Sequence, residues 1–296
     1  MPLALRYIMS GAADGFKNMA VDDMVLGECR RGVIDGVLRV YEWTPPAVSL
    51  GYAQSIDLID TQTCKDLGVD LVRRVTGGGA VLHWEEVTYC LALRREILPG
   101  LKWPRQFARL TGTALCRALE SLGVGASLSP SATHVTSHGT QSAAVFHGTQ
   151  SRATFRSTQS ALCFGSGTEN EIVVGGRKLA GCAHKFTREA FFSHGSIMIG
   201  RAHLRIVDLL RPEAGAVDKS TLSERSVCLS DLLPVVPGLE TLGQKLKKGT
   251  EDSFGVSLAE SELSTREEEL ASERAFIKRN DTGMREGVVT RPGFSG

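Results

Sequence analysis

The chain has 296 residues, 42% hydrophobic and 23% charged, an ordinary globular balance with ample length for a core. A formal net charge of +1 gives no bulk field to draw nucleic acid or an anionic membrane. Seven scattered cysteines without a Cys-x-x-Cys pair argue against a disulfide framework or a zinc ribbon and for a reducing cytoplasm. Residues 1–10 carry one arginine and no long apolar core, so no signal peptide is expected. No apolar run approaches the ~20 residues of a membrane span.

Residues 3–9 read as a first strand, and 18–29 as a helix with Met19, Val21, Met24 and Val25 at apolar spacing and Asn18 as its cap. Residues 37–43 form a β-prone run, Pro45-Pro46 turns the chain, and 47–51 returns as a second strand. Residues 56–67 read as helical. Residues 69–73 alternate apolar and polar as a strand, three glycines break it, and 80–82 resumes an apolar run. A buried strand over 87–93 precedes an amphipathic helix that starts at Pro104, carries Phe107, Leu110, Leu115 and Leu119, and stops at Gly123.

Residues 128–160 are rich in Ser, Thr, Ala, His and Gln, with no acidic residue. His138-Gly139-Thr140-Gln141-Ser142 recurs as His147-Gly148-Thr149-Gln150-Ser151, the mark of a low-complexity surface insertion. His134, His138 and His147 lack acidic or cysteine partners nearby, so no metal site is expected. Order returns as a hairpin, 171–174 and 177–180 about Gly175-Gly176, followed by strand material over 191–194 and 196–199. From Leu204 the pattern turns helical and polar, with 260–278 a solvated helix and 280–296 a fraying end. The order is not strict βαβ alternation. It predicts an α+β domain over 1–203, a mixed sheet with helices on one face, and a helical C-terminal extension over 204–296.

Four places carry possible chemistry. Gly77-Gly78-Gly79 allows positive φ and close main-chain approach, so its N–H groups can converge on an anion or an acyl carbonyl. A plain hairpin would explain the glycines, but not Arg73 and Arg74 before them and His83 after. Cys163 stands where a loop meets the sheet. It reads either as a small buried hydrophobe or as a thiolate promoted by the Lys178 ammonium. Lys178 and Ala180 share one strand face. An inward lysine needs a partner, for which a bound carbonyl or phosphate oxygen is one candidate; an outward one would guard a sheet edge. His194 ends an apolar strand and reads as structural at least as well as catalytic.

These residues match a known pattern. Arg73-Arg74-Val75-Thr76-Gly77-Gly78-Gly79-Ala80-Val81-Leu82-His83 resembles the Arg-Arg-x-Thr/Ser-Gly-Gly-x-Ala-Val-x-His signature of the lipoate–protein ligase A, octanoyltransferase and biotin ligase superfamily. Gly176-Arg177-Lys178-Leu179-Ala180-Gly181-Cys182-Ala183 resembles its second signature and His194-Gly195-Ser196-Ile197 its third. Asn18-Met19-Ala20-Val21-Asp22 and the run from Tyr41 through Trp43 to Gly51 also fit. The resemblance implies a biotin/lipoate protein ligase-like α+β domain that acylates a lysine of a carrier domain. Cys163-Phe164 is similar to the Ala-Cys-Phe of the cysteine-using octanoyltransferases. Trp84 replaces a usual aspartate, Cys182 a usual serine, and Gly79 is the residue the ligases tend to have.

The resemblance implies Cys163 and Lys178 as catalytic residues, with Arg74, Gly77, Gly78, Gly79, His83, Gly181, Cys182, Ala183 and His194 holding substrate. The expected reaction takes octanoyl from acyl carrier protein through a Cys163 thioester. It passes to the lipoyl domain of glycine cleavage H protein or a 2-oxoacid dehydrogenase E2. No metal and no other cofactor is expected, and the chain is expected in the cytoplasm. Amides around Gly77–Gly79 and Gly181–Ala183 would hold the oxyanion, and Leu71, Val81 and Ile172 would line an apolar tunnel. An ATP- and Mg2+-using lipoate ligase with an inert Cys163 is the alternative. An octanoyl amidotransferase and a non-catalytic binding protein on the same fold are further ones.

Overall fold

The computed structural model describes residues 4–101, 103–129, 171–214 and 218–280. Strand β1 (Ala4–Ala13) leads into helix α1 (Gly15–Arg30), whose cap is Asp14, accepting from the Lys17 amide at 2.8 Å. Asn18 is therefore not the cap. It lies one turn inside, fully buried, with its amide donating to the carbonyls of Ala13 and Glu42. Strand β2 (Gly36–Trp43) turns at Pro45-Pro46 into β3 (Ala47–Leu50). The expected helix over 56–67 is split into a 3-10 turn at Ile56–Leu58 and a short α2 (Thr61–Asp66), because the Asp60 carboxylate caps the amides of Gln62 and Thr63 and starts a new helix there.

There follow β4 (Asp70–Arg73), β5 (Val81–His83), β6 (Glu86–Arg94), α3 (Pro104–Glu120) and β7 (Ser127–Leu128). After the stretch outside the described residues come β8 (Ile172–Val174), β9 (Arg177–Phe186) and β10 (Ala190–Met198). Short helices α4 (Lys219–Arg225) and α5 (Leu229–Leu232) precede α6 (Leu239–Phe254), β11 (Ser257–Glu260) and α7 (Thr265–Asn280). Strand β11 is absent from the sequence reading. It pairs parallel with β1, and its four residues are too few to show a period.

The strands make two sheets. The larger runs β11-β1-β2-β6-β10-β9-β8-β7, and the smaller runs β4-β3-β5. Helices cover both faces of the large sheet, not the one face expected. Alternate residues of its central strands feed separate cores. Leu38, Val40, Tyr89 and Leu91 face Phe107, Leu115, Leu242 and Leu246 of α3 and α6. Val37, Tyr41, Cys90 and Ala92 face Val21, Met24 and Val25 of α1. A strand apolar on both sides must be covered on both. The register sends Arg39 to the α1 side, between Val37 and Tyr41.

Helices α3 and α6 cross closely at Gly249, where a Cβ would stand 2.3 Å from the Ala114 carbonyl oxygen. Gly249→Ala should cost about 1–3 kcal/mol by overpacking, seen as a lower midpoint of urea unfolding. On β9, His184 stacks on Phe186 and meets Phe107 edge-on, and its buried Nδ1 has no partner among the described residues. Burial, with a lesser push from His194, lowers its pKa from 6.5 to about 4. The unfolded chain then binds the extra proton, so stability present above pH 6.5 drains away as pH falls toward 4. His184→Gln should flatten that limb of a stability–pH curve, measured by denaturant midpoints at stepped pH.

Candidate active site

The glycine loop joins β4 to β5, and Arg74 holds it from inside. The Arg74 Nη1 donates to the Ser49 carbonyl at 2.8 Å and to Ser49 Oγ at 3.2 Å. Its Nη2 donates to the carbonyls of Gly77 and Gly79, each at 2.8 Å. Arg73 anchors the neighbouring turn by donating to the carbonyls of Gly51 and Gln54. With two loop carbonyls turned to a guanidinium, the amides of Gly77, Gly78 and Gly79 meet no acceptor among the described residues. Gly78 has φ 99°, and a Cβ on Gly51 would stand 2.0 Å from its carbonyl oxygen, so both positions need glycine.

Two buried polar networks support this loop. In one, His83 Nε2 lies 2.7 Å from Ser49 Oγ and His83 Nδ1 lies 2.5 Å from Glu86 Oε1. Thr88 and Ser196 hydroxyls donate to the same Glu86 oxygen, and the His83 ring stacks on Trp43 at 4.0 Å. Ser49, His83 and Glu86 thus stand in a serine–histidine–carboxylate line that spacing alone does not reveal. Ser49 has no exposed surface and accepts from Arg74, so the line props the loop and presents no open nucleophile.

In the other network, Asp22 of α1 accepts from Arg39 Nη1 at 2.9 Å and from the Tyr41 hydroxyl at 2.9 Å. His194 Nδ1 sits 3.1 Å from the same carboxylate, and His194 Nε2 sits 2.6 Å from Thr76 Oγ1, at the foot of the loop. Burial alone would raise the Asp22 pKa. The His194 hydrogen bond, Arg39 and Tyr41 outweigh it and hold the carboxyl below its ordinary value. Burial lowers His194 against the pull of Asp22, which favours the neutral ring. Neutral His194 then donates from Nδ1 to Asp22 and accepts the Thr76 hydroxyl proton at Nε2.

Between the networks lies a cleft with about 430 Å3 of empty space. Of the expected residues, Arg74, His83, Gly181, Cys182, Ala183 and His194 line it, whereas Gly77, Gly78 and Gly79 are not among its lining residues and meet it only through Arg74. Met19, Tyr41, Trp43 and Val81 supply its apolar wall. Beyond Ala180, β9 pairs only with β10 among the described residues. Leu71 and Ile172, expected in the tunnel, lie elsewhere. Leu71 packs in the core of the small sheet and Ile172 in the α3–α6 core, because each strand turns that residue away from the cleft.

Lys178 is buried, with Nζ 2.5 Å from Glu171 Oε1, so its partner here is a carboxylate rather than a surface position at a sheet edge. It stands on β9 three residues before Gly181 and is not among the cleft-lining residues. Cys163 lies outside the described residues, as do His134, His138 and His147. Trp84 packs beside the small sheet under the Arg205 guanidinium, 4.4 Å from its ring, away from the cleft. Cys182 accepts the Tyr89 hydroxyl at 3.1 Å.

Sequence reasoning missed Asp22, Arg39, Ser49, Glu86 and Ser196 as site residues. A signal existed for the first two. Asn18 and Asp22 fall four apart on the buried side of a helix, and Arg39 interrupts an apolar strand. Buried charge demands a buried partner. Chemically, the site offers an apolar slot suited to a hydrocarbon tail, with Arg74 linking its wall to the glycine loop. Among the described residues no group of His, Cys, Asp and Glu is placed to hold a metal ion, and no helix is long and apolar enough to cross a membrane.

The family model of the lipoyl protein ligase A/B catalytic domain matches residues 14–251. An octanoyltransferase LipM of Kyrpidia tusciae is 31% identical over 90% of this chain and 93% of its own. Another, from Moorella thermoacetica, is 35% identical over 66% of this chain and 64% of its own. A crystal structure of lipoate-protein ligase A bound with ATP superposes with a TM-score of 0.71 at 19% identity, covering 95% of this chain and 99% of that one, a likeness of fold. With the signatures gathered around one cleft and the match running through most of its length, this chain belongs to the lipoyl protein ligase A/B catalytic domain family.

Proposed function

We propose that this chain works as an octanoyltransferase of protein lipoylation through a covalent cysteine route. It is an enzyme of the family just described, and relatives over 90% of its length carry the name octanoyltransferase. The octanoyl acceptor is a lysine of a lipoyl domain. The finer reading is ours: octanoyl arrives as the thioester of acyl carrier protein, and the acceptor domain belongs to glycine cleavage H protein or a 2-oxoacid dehydrogenase E2. The reaction would take place in the cytoplasm.

In the first step the Cys163 thiolate attacks the thioester carbonyl, a new C–S bond forms, and the carrier thiolate leaves. In the second, the lysine amine attacks the Cys163 thioester, loses a proton, forms the amide and releases the thiolate. Lys178 assists the thiolate and the carbonyl. Thioester to amide is downhill, so the route calls for neither ATP nor a metal. The observation that carries the reading is the glycine loop, whose Gly77 and Gly79 carbonyls are spent on Arg74 and whose three amides meet no acceptor among the described residues. An oxyanion would complete them, each such donor being worth about 3 kcal/mol. The cleft's apolar wall of Met19, Tyr41, Trp43 and Val81 suits a hydrocarbon tail, at roughly 0.8 kcal/mol per buried methylene.

Intact mass after mixing with octanoyl carrier protein, without ATP, tests the route. An octanoyl adduct should map to Cys163, and Cys163→Ala should abolish both adduct and transfer. Full activity in that variant would sink the covalent route. An ATP-using ligase would instead release pyrophosphate with lipoate and tolerate the substitution. Arg74→Ala frees the loop carbonyls and should lower kcat about 100-fold or more with the fold retained, read by single-turnover transfer alongside circular dichroism.

A further inference from the structure

A second, wider depression, with about 1000 Å3 of open space, adjoins the cleft. Three segments run from one to the other. On α1, Met19 faces the cleft, while Asp23, Gly27, Arg30 and Arg31 line the depression at successive turns. On β9, Gly181–Ala183 line the cleft and Lys185 the depression. At the glycine loop, Arg74 belongs to the first and Val75 to the second. The two therefore lie next to each other along α1, and we treat them as the ends of one groove. From Met19 to Arg30 the helix rises about 17 Å at ~1.5 Å per residue.

The far end is basic. Arg30, Arg31, Lys185 and Arg274 meet two carboxylates there, Asp23 and Glu189. Asp23 is already paired with Lys278 at 2.5 Å, and Arg31 with Glu28. Arg30 has only a long contact to Glu189, 3.7 Å. Arg274 and Lys185 make no ion pair among the described residues; Lys185 rests over the exposed Tyr52 ring. Burial, and repulsion from Arg30 and Lys278 against attraction to Asp23, hold the Lys185 ammonium below its ordinary value. An anion lodged here would relieve that.

We propose that this end of the groove binds the phosphodiester of a phosphopantetheine arm, which lies along α1 and delivers its octanoyl thioester into the cleft. The proposal rests on the octanoyl-transfer reading. The length fits. Phosphorus and thioester sulfur of that arm are separated by about thirteen bonds, roughly 15 Å at polypeptide-like extension. That matches the rise of α1 between the two ends of the groove. A phosphodiester is also an anion that arginine forks can hold through two parallel hydrogen bonds. An acyl carrier protein and coenzyme A both carry this group, and the groove recognises what they share.

The test compares octanoyl-4′-phosphopantetheine with octanoyl-pantetheine, in the wild type and in Arg30→Glu/Arg274→Glu. The wild type should prefer the phosphorylated donor in kcat/KM. In the double variant that preference should fall about tenfold or more, with the loss of charge-assisted hydrogen bonds. Calorimetry should show the wild type binding 4′-phosphopantetheine more tightly than pantetheine, and the variant binding them alike. A wild type with no preference, or a variant that keeps it, overturns the subsite while leaving octanoyl transfer standing. A wild type that takes octanoyl from neither donor overturns the transfer reading and the subsite with it. Octanoyl-coenzyme A and octanoyl carrier protein, run as separate arms, should both weaken in the variant. The one with the lower wild-type KM is the source.

Discussion

One buried carboxylate holds the site in register. Asp22 collects Arg39 and Tyr41 from β2 and His194 from β10, and His194 passes the constraint to Thr76 in the glycine loop. Helix, sheet and loop are therefore joined by polar bonds at a point where apolar packing would let them slide. Such a node is costly to bury and gains little net stability over apolar packing. Its return is geometric, because hydrogen bonds prescribe direction and hydrophobic contact does not. Removing the carboxylate would strand Arg39 as an unpaired buried cation, the costly kind of loss.

The loop itself shows how a chain can hold out donors. Peptide groups carry donors and acceptors in equal number, and a buried donor without an acceptor is normally avoided. Here Arg74 takes the Gly77 and Gly79 carbonyls, and the loop turns the amides of Gly77 and Gly78 to its exposed side, where they meet no acceptor among the described residues. Arg74 is in turn steadied through Ser49, whose hydroxyl touches His83, whose other nitrogen meets Glu86. Each member is positioned by the next, which is how rigid sites are built from flexible side chains. The arginine pair that the sequence suggests as a ligand-facing charge serves mainly to shape backbone.

The groove along α1 gives this arrangement a direction. Apolar surface surrounds one end and guanidinium groups the other, and α1 contributes to both because residues four apart share a face. That continuity escapes inspection of the sequence, where Met19 and Lys185 stand far apart. Arg274 is equally hidden. It reads as one more charge on the solvated helix α7 until that helix is packed on α1.

What the chain alone determined follows from local rules. Glycine triplets, Pro-Pro corners and apolar spacing mark the loop, the turns and most elements, and the ordered motifs identify the family, because these signals sit within a few residues of one another. Boundaries slipped where a side chain overruled propensity, as Asp60 did in breaking a helix and Asp14 in capping one. The tertiary structure alone decided which faces are buried, where β11 pairs, that Leu71 and Ile172 turn away from the cleft, and that Lys178 meets Glu171. It also decided which polar residues support the loop. Asp22 and His194, or Ser49 and Glu86, become neighbours only when the sheet register and the helix docking bring them within hydrogen-bonding reach. Such distances depend on the whole fold, and no local window contains them.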